Sequence, residues 1–201
     1  MQVNKPDTRI LIFNTALRLF AASGVENVSM RDLADEVGIK AASIYNHYPS
    51  KDELVEACYD FFLENHDAGR LDKEQYTRIL REGTKEDVFN IPTDRFPEEL
   101  AENILYSMIV LFSRIYTDTI AIKKYTQMID QSMMYMMEYL EQGIQIGRFK
   151  KFDVRGISML FLSAKLFTAQ STTIHPDTLF DWDMAQREMF SALMNTLPFN
   201  Y

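Results

Sequence analysis

Apolar residues in this chain recur three and four positions apart almost from end to end, which is the period of an α-helix and not the alternation of a strand. Ile10, Phe13, Leu17, Phe20 and Ala21 make the first such stripe. Asp7 opens it as an N-cap, and Gly24 closes it after about Ala22 in the manner of a left-handed C-cap. Ser29-Met30-Arg31-Asp32 has the form of a capping box with the shorter Asp in place of Glu or Gln. The helix it opens buries Leu33, Ala34 and Val37 and stops at Gly38. A third short helix is predicted from Lys40 to Tyr48, ended by Pro49. Ser50-Lys51-Asp52-Glu53 is a second box, and it starts a longer helix to about His66 with Leu54, Ala57, Cys58, Phe61 and Phe62 inside.

The rest of the chain continues in the same period. Asp72 to Arg81 predicts a helix, Gly83 breaks it, Thr84 caps one further turn, and Pro92 ends the segment. A strongly apolar helix follows from Phe96 to Tyr116, then a methionine-rich one from Ile122 to Gly147 and another from Asp153 to Thr172. His175-Pro176 interrupts, and Asp181 begins a last helix to about Leu197. With 7 Gly and 6 Pro in 201 residues there is little material for the turns of a β fold. The expected fold is all-α, about nine helices: a three-helix head over residues 1–50 and a larger helical domain over 51–201.

Composition narrows the setting. A 47% hydrophobic and 25% charged chain is ordinary for a soluble globular protein. The lone Cys58 excludes an internal disulfide framework and suits a reducing cytoplasm. Residues 1–9 are polar, unlike a signal peptide, and the most apolar stretch, 104–112, is too short to span a bilayer. The expected location is cytoplasmic, with no membrane partner. No catalytic constellation stands out: His47, His66 and His175 are scattered, and neither a phosphate-binding loop nor a nucleophile elbow occurs. Cys58 and His66 are eight positions apart, which matches no zinc spacing. No enzyme, metal or cofactor is expected.

The net charge of −8 argues at first against a nucleic-acid partner. Its distribution is less hostile. Residues 1–51 hold six basic side chains (Lys5, Arg9, Arg18, Arg31, Lys40, Lys51) against five acidic ones, a net of +1, so the remainder carries −9. A near-neutral head can still meet DNA if its cations face the phosphates.

Two short helices joined by a Gly-containing turn are the geometry of a helix-turn-helix. Small Ala34 permits close approach, Gly38 suits a turn with positive φ, and β-branched Ile44 packs between the helices. The run from Ser29 to Leu54 adds a Ser-capped helix, an Ala34-x-x-x-Gly38 turn, Ile44-Tyr45-Asn46-His47-Tyr48, then Ser50-Lys51-Asp52-Glu53-Leu54. It closely resembles the signature of the tetracycline-repressor (TetR-like) family, over about residues 8–62.

That resemblance implies a transcriptional repressor that binds a palindromic DNA operator as a homodimer and is released by a small hydrophobic or aromatic effector. Ala41 and Ala42 would approach base edges in the major groove, while Ser43, Tyr45, His47 and Lys51 donate to phosphate oxygens and the Ser29 helix start aims amides the same way. Asn46 and Lys40 can reach a base or a phosphate. The residues also have plainer readings: His47 as a helix-end cap, Lys40 and Arg31 as solvated charges, Tyr48 as core. Phe62, His66, Tyr106, Phe112, Tyr116, Met133 and Met137 are candidate lining for an effector pocket, and their alternative role is ordinary core. Leu160, Ala164, Phe167 and Ser171, with Ala185, Met189, Ala192 and Leu193, are the candidate dimer surface, two helices from each subunit forming a four-helix bundle. A competing reading, kept alive by the acidic balance, is a helical ligand-binding or partner-binding protein with weak or no DNA binding.

Overall fold

The computed structural model describes residues 7–89, 98–174, 188, 189, 191, 192, 195 and 197–200, and among them every regular element is a helix. Helix α1 (Thr8–Ser23) starts on Asp7, whose carboxylate accepts the Arg9 N–H at 2.9 Å. Its buried line is Ile12, Ala16, Leu17 and Phe20. The expected stripe is therefore rotated: Ile10 is exposed and Phe13 half-buried, because the neighbouring helices pack on the Ile12–Ala16–Phe20 row. Gly24 takes a positive φ of 82° with an extended ψ of 144°, so it turns the chain without forming the left-handed cap expected.

After a short 3-10 turn at Val25–Asn27, α2 (Met30–Val37) opens on a complete box. Ser29 Oγ accepts the Asp32 N–H at 3.2 Å, and Asp32 Oδ2 accepts the Ser29 N–H at 2.7 Å. Gly38, at φ 75° and ψ 34°, is a left-handed cap. Helix α3 is shorter than the sequence predicts, Ala41–Ile44. Beyond it the bonds tighten to i→i+3, Asn46 N–H to Ser43 O at 3.3 Å and His47 N–H to Ile44 O at 3.0 Å, before Pro49. Helix α4 (Lys51–Asn65) is capped by Ser50 Oγ, which accepts the Glu53 N–H at 3.1 Å. Its core face is Leu54, Val55, Cys58, Tyr59 and Phe62, with Ala57 and Phe61 only half-buried.

Further along are α5 (Lys73–Glu82), α6 (Lys85–Phe89), α7 (Glu98–Arg114), α8 (Thr119–Gln145) and α9 (Val154–Ile174). The helix predicted from Asp181, and the break at His175-Pro176, lie largely outside the described residues. Contacts group the chain into two compact units, Met1–Gly69 with Asp94–Thr126, and Arg70–Thr93 with Gln127–Tyr201. The first unit does not stop at residue 50, because α7 packs along both α1 and α4.

The second unit has its own core of Tyr76, Leu80, Val88, Tyr139, Leu140, Phe149, Phe161, Leu197 and Phe199. Tyr139 hydroxyl donates to the Val88 carbonyl at 3.0 Å, so this buried phenol is satisfied. Gly143 is required by packing, since a Cβ there would collide with the Phe149 ring. Phe149 in turn meets Phe199 edge-on at 5.0 Å, and Lys150 N–H donates to Pro198 O at 2.7 Å, an isolated antiparallel pairing the sequence pattern does not announce.

Candidate nucleic-acid interface

Helix α3 has a clear inside and outside. Ile44 is wholly buried, and Tyr48 is buried with the Arg9 guanidinium 4.7 Å from its ring centre. Arg9 also donates to the His47 carbonyl at 3.3 Å, so a residue the sequence reading did not single out braces this turn. A cation 38 residues upstream carries no local signal for that role. With Ile44 and Tyr48 turned inward, Lys40, Ala42, Tyr45 and Asn46 face solvent, and Tyr45 keeps 50% of its surface exposed. Ala41, Ser43, His47 and Lys51 are half-buried beside them.

Four of the candidate residues meet in one groove. Ser29, Ala41, Tyr45 and Lys51 line an open depression of about 550 Å³, together with Arg31, Glu26 and Asp32. Lys40, Ala42, Ser43, Asn46 and His47 lie outside its lining. Ser29 hydroxyl is already committed, donating to Asp32 Oδ2 at 2.7 Å while accepting the Asp32 N–H. What the α2 start offers an anion is therefore its backbone amides. Hydrogen bonds from the Ser29 side chain and backbone hold the Asp32 carboxyl below the usual range, with a smaller contribution from Lys51. Glu26 is lowered chiefly by its bond to Arg114, and Lys51 again adds to this.

The candidate pocket residues do not form one group. Phe62, His66 and Phe112 cluster in the first unit, with ring centres 5.6 Å apart for Phe62–His66 and 6.1 Å for Phe62–Phe112. Tyr125, unforeseen, completes the cluster edge-on to Phe112 at 5.5 Å. Tyr106 is tied by its hydroxyl to Glu102 at 2.7 Å. Tyr116 is a correction: it lies past the end of α7 and is 87% exposed, so it lines no interior of its unit. Met133 and Met137 are half-buried in the second unit. Of the candidate dimer residues, Leu160 and Phe167 are exposed at 52% and 59%, Ala192 is exposed and Met189 half-buried. Ala164 is buried within its own unit and offers no surface, a second correction. The side chains of Ser171, Ala185 and Leu193 lie outside the described residues.

Other chemistry is sparse. Cys58 is buried, its Sγ donates to Leu54 O, and burial pushes its thiol up to about 12. Among the described residues no group of three or more His, Cys, Asp or Glu could hold a metal ion, and no single helix is long and apolar enough to cross a membrane.

Comparison with known proteins adds an independent line. The family described as "Bacterial regulatory proteins, tetR family" matches residues 12–58. The biofilm operon icaADBC HTH-type negative transcriptional regulator IcaR of Staphylococcus epidermidis is 39% identical over 64 residues, 28% of this chain and 35% of that protein. The chain spans only about a third of the length of the curated relatives it matches. Whole-chain likeness comes from solved structures. The ketosteroid transcriptional regulator KstR2 of Mycobacterium tuberculosis has a TM-score of 0.63 at 19% identity, covering 99% of this chain and 98% of that one. A TetR transcription regulator from Haloarcula marismortui ATCC 43049 has a TM-score of 0.70 at 16% identity, covering 96% and 99%. The helical fold of these structures and the match to the tetR family of bacterial regulatory proteins over residues 12–58 agree in what this chain is similar to.

Proposed function

We propose that this chain is a repressor that binds a palindromic DNA operator as a homodimer and is released by a small hydrophobic or aromatic effector. The observation that carries the reading is the division of α3 and the residues flanking it: Ile44 and Tyr48 are locked inside while Lys40, Ala42, Tyr45 and Asn46 face outward. Ser29, Ala41, Tyr45 and Lys51 line the adjoining groove. A helix so placed fits a major groove, with Ala41 and Ala42 near the bases and Tyr45, His47 and Lys51 on phosphates.

Exposed Leu160 and Phe167 on α9 support a self-association surface, which would set two such helices about one turn of duplex apart, ~34–36 Å. The Phe62–Phe112–Tyr125 aromatic cluster supports an apolar or aromatic effector, whose binding would shift α4 and with it the reading head. The test is selection of a duplex from a random-sequence pool followed by footprinting. The reading expects an inverted repeat protected in two patches, and Tyr45→Ala lowering affinity for it by about 1–3 kcal/mol. Failure to enrich any duplex, with a folded ligand-binding protein in hand, would favour the non-DNA reading.

A further inference from the structure

One residue of the phosphate-facing groove is out of place there. Glu26 lines the groove beside Lys51, its side chain is 78% exposed, and a carboxylate in that position repels phosphates. Its oxygen is held by the Arg114 guanidinium at the C-terminal end of α7. Arg114 is itself only 22% exposed, and its Nε lies 3.5 Å from Asp118 Oδ2. Asp118 caps α8, accepting the N–H groups of Ile120 at 2.8 Å and Ala121 at 3.3 Å. It also accepts the hydroxyl of buried Tyr59, on α4, at 3.0 Å. Burial alone would raise Asp118, but these amides, the Tyr59 hydroxyl and Arg114 outweigh it and leave the carboxyl low and charged.

One guanidinium thus joins the turn before α2 to the places where α7 ends and α8 begins, on a footing bonded to α4. Only Asn27 and Val28 separate Glu26 from Ser29, and Val28 is buried with its N–H on Val25 O, so a shift of Glu26 is passed to the start of α2. We propose that Arg114 is a positioning residue for DNA binding: its pair with Glu26, braced by Asp118 and Tyr59, sets the amide-bearing start of α2 against the duplex. Whatever displaces the α7–α8 turn then displaces that start as well. The inference rests on the DNA-binding reading above.

The two possible roles of Glu26 differ in sign. If it is merely a surface charge, Glu26→Gln removes repulsion and tightens binding. If it is the far end of the strut, the same change weakens binding. With a duplex selected by the wild-type protein, we expect Glu26→Gln and Arg114→Gln each to lower affinity roughly 2- to 30-fold, the range for residues that act through others. The double variant should be no weaker than the poorer single one. The salt dependence of Arg114→Gln should match wild type, since the residue touches no phosphate. Glu26 is exposed, so its variant keeps the fold, as a thermal melt would verify. Unchanged or tighter binding by Glu26→Gln, additive losses, or a flattened salt dependence for Arg114→Gln would each overturn the strut while leaving DNA binding intact. Wild-type protein that enriches no duplex would overturn both readings, before any substitution is made.

Discussion

The helix-turn-helix region and the second unit share local helix caps and differ in how their distant segments are joined. In α1, α2 and α4 the first turn is fastened by a side chain two or three positions away: Asp7 to Arg9, Ser29 to Asp32, Ser50 to Glu53. The second unit caps α5 and α6 just as locally, Asp72 with Gln75 and Thr84 with Asp87, and adds side-chain bonds to the backbone from Tyr139 to Val88, Arg148 to Gly83 and Asn200 to Gly147, separations of 51, 65 and 53 residues. Local caps fix the starts of α1, α2 and α4, while α7 and its Arg114 tie those helices to chain far away in sequence. The second unit is further defined by aromatic packing among distant segments, with half-buried Met133, Met136 and Met137 on α8.

The comparison breaks most sharply under core truncation. Phe149→Ala removes a wholly buried ring that Phe199, Phe152 and Gly143 surround, and should cost about 3–5 kcal/mol in chemical denaturation. Leu33→Ala in α2 should cost about 2–5 kcal/mol. Hydrogen exchange separates the two, with amides of α5 and the 148–150 segment losing protection in the first variant and those of α1 and α2 in the second. A loss under 1 kcal/mol for Phe149→Ala would mean that the distant pairing is not what holds the second unit.

A smaller effect sharpens the same contrast. Gly143→Ala inserts a methyl where the Phe149 ring lies, and should destabilise by about 1–3 kcal/mol through overpacking. Gly38→Ala meets open space, so its cost of about 1 kcal/mol comes only from the left-handed backbone at φ 75°. Smaller again, Ser29→Ala should cost about 1 kcal/mol at neutral pH. That penalty has a pH signature. Asp32 titrates below its ordinary range in the folded protein, so the box contributes fully above that range and is lost as pH falls through the lower folded value. The wild-type and Ser29→Ala melting temperatures should therefore converge in acid, and a constant gap would show that the box is not what Ser29 supplies.

What was legible in the chain is chiefly its local caps. Asp7, Ser29, Gly38, Ser50 and Asp72 mark helix ends within a few residues, so the starts of α1, α2, α4 and α5 can be read directly. The faces are less legible. Ile10 looks core by spacing, yet the neighbours that decide burial, α2, α4 and α7, are not written near it. Helix α3 shortens because Pro49 and the inward pull of Tyr48 tighten the chain after Ile44, a balance that periodicity does not weigh. At the candidate interface the exposed positions Lys40, Ala42, Tyr45 and Asn46 all belong to the motif read from the sequence. The Arg9 brace and the Glu26–Arg114–Asp118–Tyr59 chain were not legible, because the bonds Arg9–His47, Tyr59–Asp118 and Glu26–Arg114 span 38 to 88 residues, and the local Arg114–Asp118 step does not announce them.

The central claim, that the outward face of α3 and the adjoining groove grip the phosphates of a duplex, is tested most directly by salt dependence. Affinity of the full chain for its selected duplex should fall steeply with added salt, and Lys51→Ala should reduce the slope of log affinity against log salt by about one unit, the release of one counterion-neutralising contact. Binding that is absent at low ionic strength, or a Lys51→Ala slope identical to wild type, would contradict the account.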